Sequence, residues 1–257
     1  PTGQGFTKCL KMDCTTAQGS PGSSAVMLVG QSIEGNMLQA IKQGTANAQS
    51  TTLSFWHKHT KTGTNIVELL DADNNNAVSG SYTQSVSDTW EKATIVYPAN
   101  TSGTYGNDNA RSLRIRFIMG AGTDYTSGTL ATTWQTSITN ANRYAGQVNN
   151  ADSTSNNFMI TGVQYEVGTS ASDFEFLPVD VNTTRCLRYY QKSYAYATAP
   201  GTNTTNGLHT TDGSAGGLTT GYLYGQIDLK EIMRAAPTVT TYDKAGNSGV
   251  CARLNSG

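Results

Sequence analysis

The feature that most constrains this chain is an alternation of apolar and polar side chains with a period of two. Leu113, Ile115, Phe117 and Met119 leave one side of an extended segment, while Arg114 and Arg116 leave the other. A strand with one dry and one wet face reads this way, because successive side chains of a pleated backbone point to opposite faces. The pattern recurs. Leu53 and Phe55 share a face between Thr51 and His59, with Ser54, Trp56 and Lys58 opposite. Ala93, Ile95 and Tyr97 alternate with Lys92, Thr94 and Val96, and Leu10, Met12 and Cys14 alternate with Lys11 and Asp13. Further strands are expected over residues 65–70, 79–84 and 158–167. Turn-forming clusters separate them, among them Asp73-Asn74-Asn75-Asn76 and Gly106-Asn107-Asp108-Asn109. One helical stretch of about two turns is expected over residues 36–42. Many short strands with polar turns and little helix predict an all-β fold, an antiparallel β-sandwich of jelly-roll type, over residues 1–178.

Residues 179–257 read as a second, smaller unit. Gly168 to Asp173 look like a linker ending near Pro178, and Asn182 looks like the N-cap of a short helix carrying Cys186 and Leu187. Strands are expected over 189–198, 221–229 and 236–242, the last with Pro237 at its start or on an edge. A polar stretch from Gly201 to Thr220 lies between the first two. A β unit this small is expected to need neighbouring subunits to complete its core.

Composition narrows the function classes. Of 257 residues only 14% are charged, against about 25% in an ordinary globular chain. Thr replaces much of that charge, at roughly one residue in seven. A net charge of −1 provides no basic footprint for nucleic acid or for an anionic membrane surface. No apolar run approaches the roughly 20 residues of a membrane helix, and no basic start precedes an apolar stretch as in a signal peptide. The chain opens on Pro1 rather than Met and ends in a loop-like Arg253-Leu254-Asn255-Ser256-Gly257, so both ends read as processed or cut. Cys9 and Cys14 have no second pair in zinc-site register with Cys186 and Cys251, and all four read as reduced, half-buried thiols.

Three segments carry a likeness that composition does not supply. They are Ile160-Thr161-Gly162-Val163-Gln164-Tyr165-Glu166-Val167-Gly168, then Phe174-Glu175-Phe176, then Arg185-Cys186-Leu187-Arg188-Tyr189-Tyr190-Gln191-Lys192. With Met233-Arg234-Ala235-Ala236-Pro237-Thr238-Val239-Thr240 downstream, this order resembles structural proteins of tailed-phage and marine-virus particles. The stretch from Leu53-Ser54-Phe55-Trp56 to Trp90-Glu91-Lys92 is similar to the carbohydrate-binding-like jelly roll that precedes such segments. His57 and His59 depart from the pattern, standing where ordinary strand residues are expected. The resemblance implies a virion protein made in the host bacterium's cytoplasm, displayed on a tail appendage or the capsid surface. It implies a homo-oligomer, a trimer, whose partners are other virion proteins and a host-surface polysaccharide or glycan. Nucleic acid and membrane insertion are not expected. The leading expectation is a tail fibre or spike component that attaches to host glycans, and not an enzyme. A head fibre or decoration protein without a receptor is the first alternative, and a glycan depolymerase the second.

The candidate residues follow from chemistry. An aromatic face stacks on the C–H face of a pyranose while amides and carboxylates take its hydroxyls. Trp134, Tyr125, Tyr144 and Trp56 lie in or beside stretches rich in Asn, Gln, Thr and Asp, so they are the glycan-binding candidates, although Trp56 equally suits the cover of a sandwich core. Asp71 and Asp73 supply neighbouring oxygen ligands. Jelly rolls of this resemblance often hold structural calcium, so these two are the calcium candidates, but the run lacks a full calcium-loop motif and a hairpin turn explains it as well. His57 and His59 leave one face together, with His209 the only other histidine, so strand-end histidines are favoured over a metal site. Glu68, Asp71, Glu91, Asp124, Glu166 and Asp173 are scattered, and no spacing selects two that must face each other across a sugar. No catalytic residue and no cofactor are expected.

Overall fold

The computed structural model of the chain describes residues 1–209 and 228–250. It divides into two compact units, Pro1–Glu175 and Phe176–Gly257. The first carries β1 (Leu10–Asp13), β2 (Val26–Glu34), β3 (Thr51–His59), β4 (Gly63–Asp71), β5 (Asn76–Gln84), β6 (Glu91–Tyr97), β7 (Arg111–Ala121) and β8 (Asn157–Val167). Two four-stranded sheets result, in the orders β1-β8-β3-β6 and β2-β7-β4-β5. Every pairing is antiparallel. The unit is therefore the all-β sandwich that the alternation predicts.

Its core lies between the sheets. Leu53, Phe55, Ile95 and Tyr97 enter from one side, and Val67, Leu69, Leu113, Ile115 and Phe117 from the other. The Phe55 ring meets Tyr82 and Phe117 edge-on, each at 5.0 Å between centroids. Tyr97 ties the layers together, its hydroxyl donating to the Val67 carbonyl at 3.0 Å. Gly80 permits this close approach, since a Cβ there would sit 2.3 Å from Ile95 Cγ2. Each large apolar side chain buried in this way contributes about 1.5–3 kcal/mol. β2 is an addition to the strands expected from sequence: its first residues, Val26 to Val29, form a continuous apolar run without alternation.

The outer face of the second sheet differs from expectation. Arg114 and Arg116 are half-buried rather than open to water. A long segment after β7 folds back over them, beginning with the short helix α1 (Thr123–Thr126). Ile66 and Ile118 are buried on this face against Tyr144. Glu68 stands beside them at 0% exposure. Its carboxylate accepts from Arg143 Nε at 2.6 Å and Nη2 at 2.9 Å, from Arg116 Nη1 at 3.1 Å and from Tyr144 Oη at 3.2 Å. Two guanidinium groups and a phenol thus donate to the lone pairs of a carboxylate taken out of water. The same segment closes the edge of β5, where the Ala77 and Gln135 backbones exchange hydrogen bonds at 3.2 and 2.7 Å. Covering an edge in this way removes a surface on which another strand could add.

Three local expectations are corrected. Residues 36–42 form no α-helix. They make two successive 3₁₀ turns, Gly35–Met37 and Gln39–Ile41, broken where Leu38 turns inward. The residues read as a linker are docked on β8: the Ser172 N–H and hydroxyl donate to Glu166, and the Glu175 N–H to Gln164 Oε1. The helix of the second unit, α2 (Val179–Leu187), starts at Pro178, so Asn182 lies within it and caps nothing.

In the second unit, residues 189–198 and 236–242 are turns and irregular backbone rather than strands. A single bridge, Tyr242 to Ser248, is the only pairing among the described residues of this unit. The strand expected over 221–229 and the end of the polar stretch lie mostly outside the described residues, as does Cys251. Arg234 donates its N–H to the Arg188 carbonyl, and Gln191 receives the Lys230 N–H and donates to the Glu231 carbonyl. None of the described residues of this unit is buried. Cys9, Cys14 and Cys186 are unbridged, Cys9 and Cys186 at the surface and Cys14 half-buried.

Candidate functional site: a cleft between two latched loops

Three connections meet at one place on the first unit: residues 35–50 between β2 and β3, 72–75 between β4 and β5, and 98–110 between β6 and β7. Asp71 organises them from the end of β4. Its Oδ1 accepts the N–H groups of Asp73 and Asn74, both at 3.0 Å, which turns the chain back into β5. Asn75 completes the turn at φ 53°, a conformation that Asn tolerates better than most residues. The other oxygen, Oδ2, accepts Gln43 Nε2 at 2.7 Å and Asn74 Nδ2 at 2.9 Å. Asn74 Nδ2 also donates to the Thr104 carbonyl at 3.0 Å, and Asp73 Oδ2 receives the Gly106 N–H at 2.9 Å. One buried carboxylate thereby latches all three loops. Burial raises the Asp71 pKa, with the Asn74 and Asp73 donors working against it.

This latch bears on the calcium expectation. A calcium ion needs six to eight oxygen ligands with free lone pairs. Both Asp71 oxygens, and Asp73 Oδ2, are already occupied by N–H donors. Asp71 and Asp73 act as turn and loop anchors. Among the described residues, no group of three His, Cys, Asp or Glu side chains is placed to hold a metal.

Two of the latched loops, 35–50 and 98–110, line an open cleft of about 420 Å³. Leu38 and Tyr105 supply its apolar surface, and both are buried in the main core cluster. Gln39, Gln43 and Asn47 line it with amides, Thr45 and Thr104 with hydroxyls, and Lys42 with an ammonium. Among the described residues no carboxylate lines it. Gln39 is set by its own Nε2, which donates to the carbonyls of Gly35 at 2.9 Å and Gly106 at 3.0 Å. The loops can approach this closely because Gly35 has no Cβ; one there would lie 2.0 Å from the Gly106 oxygen. Tyr105 is 8% exposed, and its hydroxyl has no hydrogen-bond partner. Gln43 lies near enough to bias that hydroxyl, but its amide nitrogen is committed to Asp71. Burial pushes the Tyr105 pKa well up, so the phenol stays protonated and able to donate.

The four aromatic candidates sit elsewhere, at three separate places. Trp134 is half-buried against the main core, its indole N–H donating to the Pro98 carbonyl at 2.8 Å. Tyr144 is 1% exposed, bonded to Glu68, and stacked with Tyr125 at 5.6 Å. Arg143 lies over both tyrosine rings, 5.7 Å from Tyr125 and 5.2 Å from Tyr144. These two hold the folded-back segment and present no free face together. Trp56 lies half-buried on the outer face of the first sheet, opposite Lys92 on β6 and Thr161 on β8. None of the four lines the cleft. Its lining carries no local sequence signal: Gln39 and Lys42 fall in the stretch expected to be helical, and Tyr105 stands 66 residues along the chain from Gln39.

His57 and His59 are core residues. They are 1% and 0% exposed. His57 Nδ1 bonds Gln84 Oε1 at 2.9 Å, and His59 Nε2 bonds the Tyr82 hydroxyl at 2.9 Å. His59 also stacks on Phe158 at 4.0 Å. Burial lowers both pKa values, that of His59 to about 3 with His57 adding to the shift, so both rings are neutral at pH 7. His209 lies in the other unit.

No family model matches the chain, and no curated protein matches it in sequence. Among solved structures it is similar to one described as "CBM4 structure and function", at 11% identity and a TM-score of 0.30, over 62% of this chain and 82% of that one. The sandwich rests on its own strand order.

Proposed function

We propose that the chain is a non-catalytic glycan-binding sandwich of a tailed-phage particle, carried on a tail fibre or spike and used to hold host-surface polysaccharide. The observation that carries the binding reading is the composition of the cleft. Amides, hydroxyls, a tyrosine and a lysine surround a volume within the range of small-ligand sites. These groups suit a polyhydroxylated ligand, which offers donors and acceptors at every carbon and an apolar C–H face. Support for binding over cleavage is that glycoside hydrolysis uses two carboxylates flanking the scissile bond, and the cleft lining holds none. Placement in a virion draws on the likeness of the segments at 160–168, 174–176, 185–192 and 233–240 to phage structural proteins. The second unit supports self-association, since Val179, Tyr196, Ile232 and Val239 are exposed and no described residue there is buried. A trimer would repeat a weak site around one axis and gain roughly 10²–10⁴ in avidity without new contacts.

The test is titration of the full chain with oligosaccharides prepared from host-surface polysaccharide, alongside Asn47→Ala, which removes an exposed amide of the cleft lining. Saturable binding without cleavage, weakened several-fold in the variant, is the expected result. Released reducing ends would replace the reading with a depolymerase. Absence of binding to cells and saccharides would replace it with a head-fibre or decoration role.

A further inference from the structure

The backbone at Lys42 does not fit its residue type. The described residues contain three non-glycine positions at positive φ: Lys42 at 55°, Asn75 at 53° and Asp88 at 53°. Asn and Asp visit this region readily because a short polar side chain can bond locally. Lysine has no such compensation, and its Cβ meets the neighbouring carbonyl. Glycine or asparagine is the usual choice after a helical turn ends, as one does here at Ile41. A lysine in that place is explained by what its side chain does.

That side chain lines the cleft, and among the described residues it is the one charged group that does. Lys42 is exposed and has no carboxylate partner among the described residues. The acids nearest in the loops are spent elsewhere. Asp71 is latched to Gln43 and Asn74, Asp73 accepts the Gly106 N–H, and Asp108 Oδ1 accepts the Ala110 N–H at 2.9 Å. Across the lining, Tyr105 contributes a buried ring whose hydroxyl is closed off beside Gln43, so the exposed groups that meet a ligand are Lys42, Gln39, Thr45 and Asn47.

We infer that this cleft selects saccharides bearing an anionic substituent, a uronate carboxylate or a sulfate ester, and that Lys42 receives the charge. The inference rests on the glycan-binding reading above and specifies its substrate class. Neutral sugars would use the amides and hydroxyls alone. An acidic sugar adds a charge-assisted contact, which is shorter and stronger than a neutral hydrogen bond.

The experiment pairs each acidic ligand with its own neutral form, so that only charge changes. Full-length protein is titrated by calorimetry with an oligogalacturonate and its methyl ester, and with a sulfated galactan oligosaccharide and its desulfated form. At low ionic strength the acidic member of at least one pair is expected to bind about fivefold more tightly, the upper range for one exposed ion pair. The preferred pair identifies carboxylate or sulfate as the group recognised. Salt should erode the preference, Lys42→Gln should abolish it, and Lys42→Arg should retain it. Lys42→Asn suits the backbone at this position and serves as a second charge-free variant whose fold is not in question. If neutral and acidic members bind equally, or if the preference survives in both charge-free variants, the inference is overturned while the glycan reading stands. If no member of either pair binds, nor any neutral oligosaccharide, both fall together.

Discussion

Replacing His59 by glutamine should remove most of one steep acid dependence from the stability of the sandwich. The wild-type ring is fully buried, stacked on Phe158 and bonded to Tyr82. Burial, with the neighbouring His57 ring acting in the same direction, lowers its pKa to about 3. An unfolded chain restores the value to about 6.5. Between those limits the unfolded state binds a proton that the folded state refuses, so stability is retained near neutrality and falls as pH drops. At pH 4 the loss from this one group is roughly 3 kcal/mol, at about 1.4 kcal/mol per unit over the interval of two and a half units. Glutamine fills similar space, can bond Tyr82, and cannot charge. It should cost about 1–2 kcal/mol at pH 7 through poorer packing against Phe158. On the way to pH 4 the variant should lose about 3 kcal/mol less than wild type, so the two stability curves cross.

Urea unfolding at pH 7.5, 6, 5 and 4, with linear extrapolation at each, measures both curves. The comparison cancels the groups that both proteins share. Asp152 is held below the usual carboxylate range by Lys61, and Glu166 by the N–H and hydroxyl of Ser172. Glu91 is also lowered: burial acts to raise it, but the N–H groups of Val86 and Ser85 outweigh that effect. All three add to acid sensitivity in either protein. A wild-type-minus-variant difference that stays constant from pH 7.5 to pH 4 would falsify the reasoning, because His59 would then be taking up its proton inside the fold.

Three further outcomes test other parts of the structure. Glu68→Gln leaves Arg116 and Arg143 without their carboxylate, and should cost about 3 kcal/mol and open residues 122–150 to limited proteolysis; an unchanged digestion pattern would show that the segment is held by Tyr144 packing alone. Leu113→Asp or Phe117→Asp puts a charge into the apolar layer between the sheets and should leave no cooperative thermal transition. Lys42→Gly relieves the positive φ and should raise stability by up to about 1 kcal/mol in urea, whereas a loss would mean that the side chain packs more than its exposure suggests.

The sandwich was legible because strands announce themselves locally. Leu113, Ile115 and Phe117 face inward in the structure as their spacing requires, and so do Leu53 and Phe55. That spacing says which residues leave a strand together, but not what lies over the far side. Arg114 and Arg116 looked solvated for this reason; their cover comes from Arg143 and Tyr144, about thirty residues along the chain. Glu68 carried no local sign of its two arginines either, since one is on a neighbouring strand and the other in a loop. His57 and His59 were read correctly as sharing a face with Leu53 and Phe55, yet their burial depends on Gln84 and Tyr82 from β5. The cleft was the least legible part. Its lining comes from two of three latched loops, and the latch, Asp71, looked like a metal ligand because carboxylates that gather N–H donors and carboxylates that gather cations have the same composition.

That ambiguity resolves through the partners, and the resolution bears on binding. A cation would hold the Asp71 turn only while bound. N–H donors from Gln43, Asp73 and Asn74 hold it permanently, and they also fix the residues that line the cleft. Gln39 and Gln43 each have an amide nitrogen already bonded to protein, so their side chains are ordered before a ligand arrives. Ordering such a side chain on binding costs about 0.5–1.5 kcal/mol. For a ligand that forms only a few exposed polar contacts, two such costs rival the whole gain. A weak site of the kind proposed above therefore needs loops that are stiff without ligand, and a buried carboxylate with four amide donors provides that stiffness from within the chain.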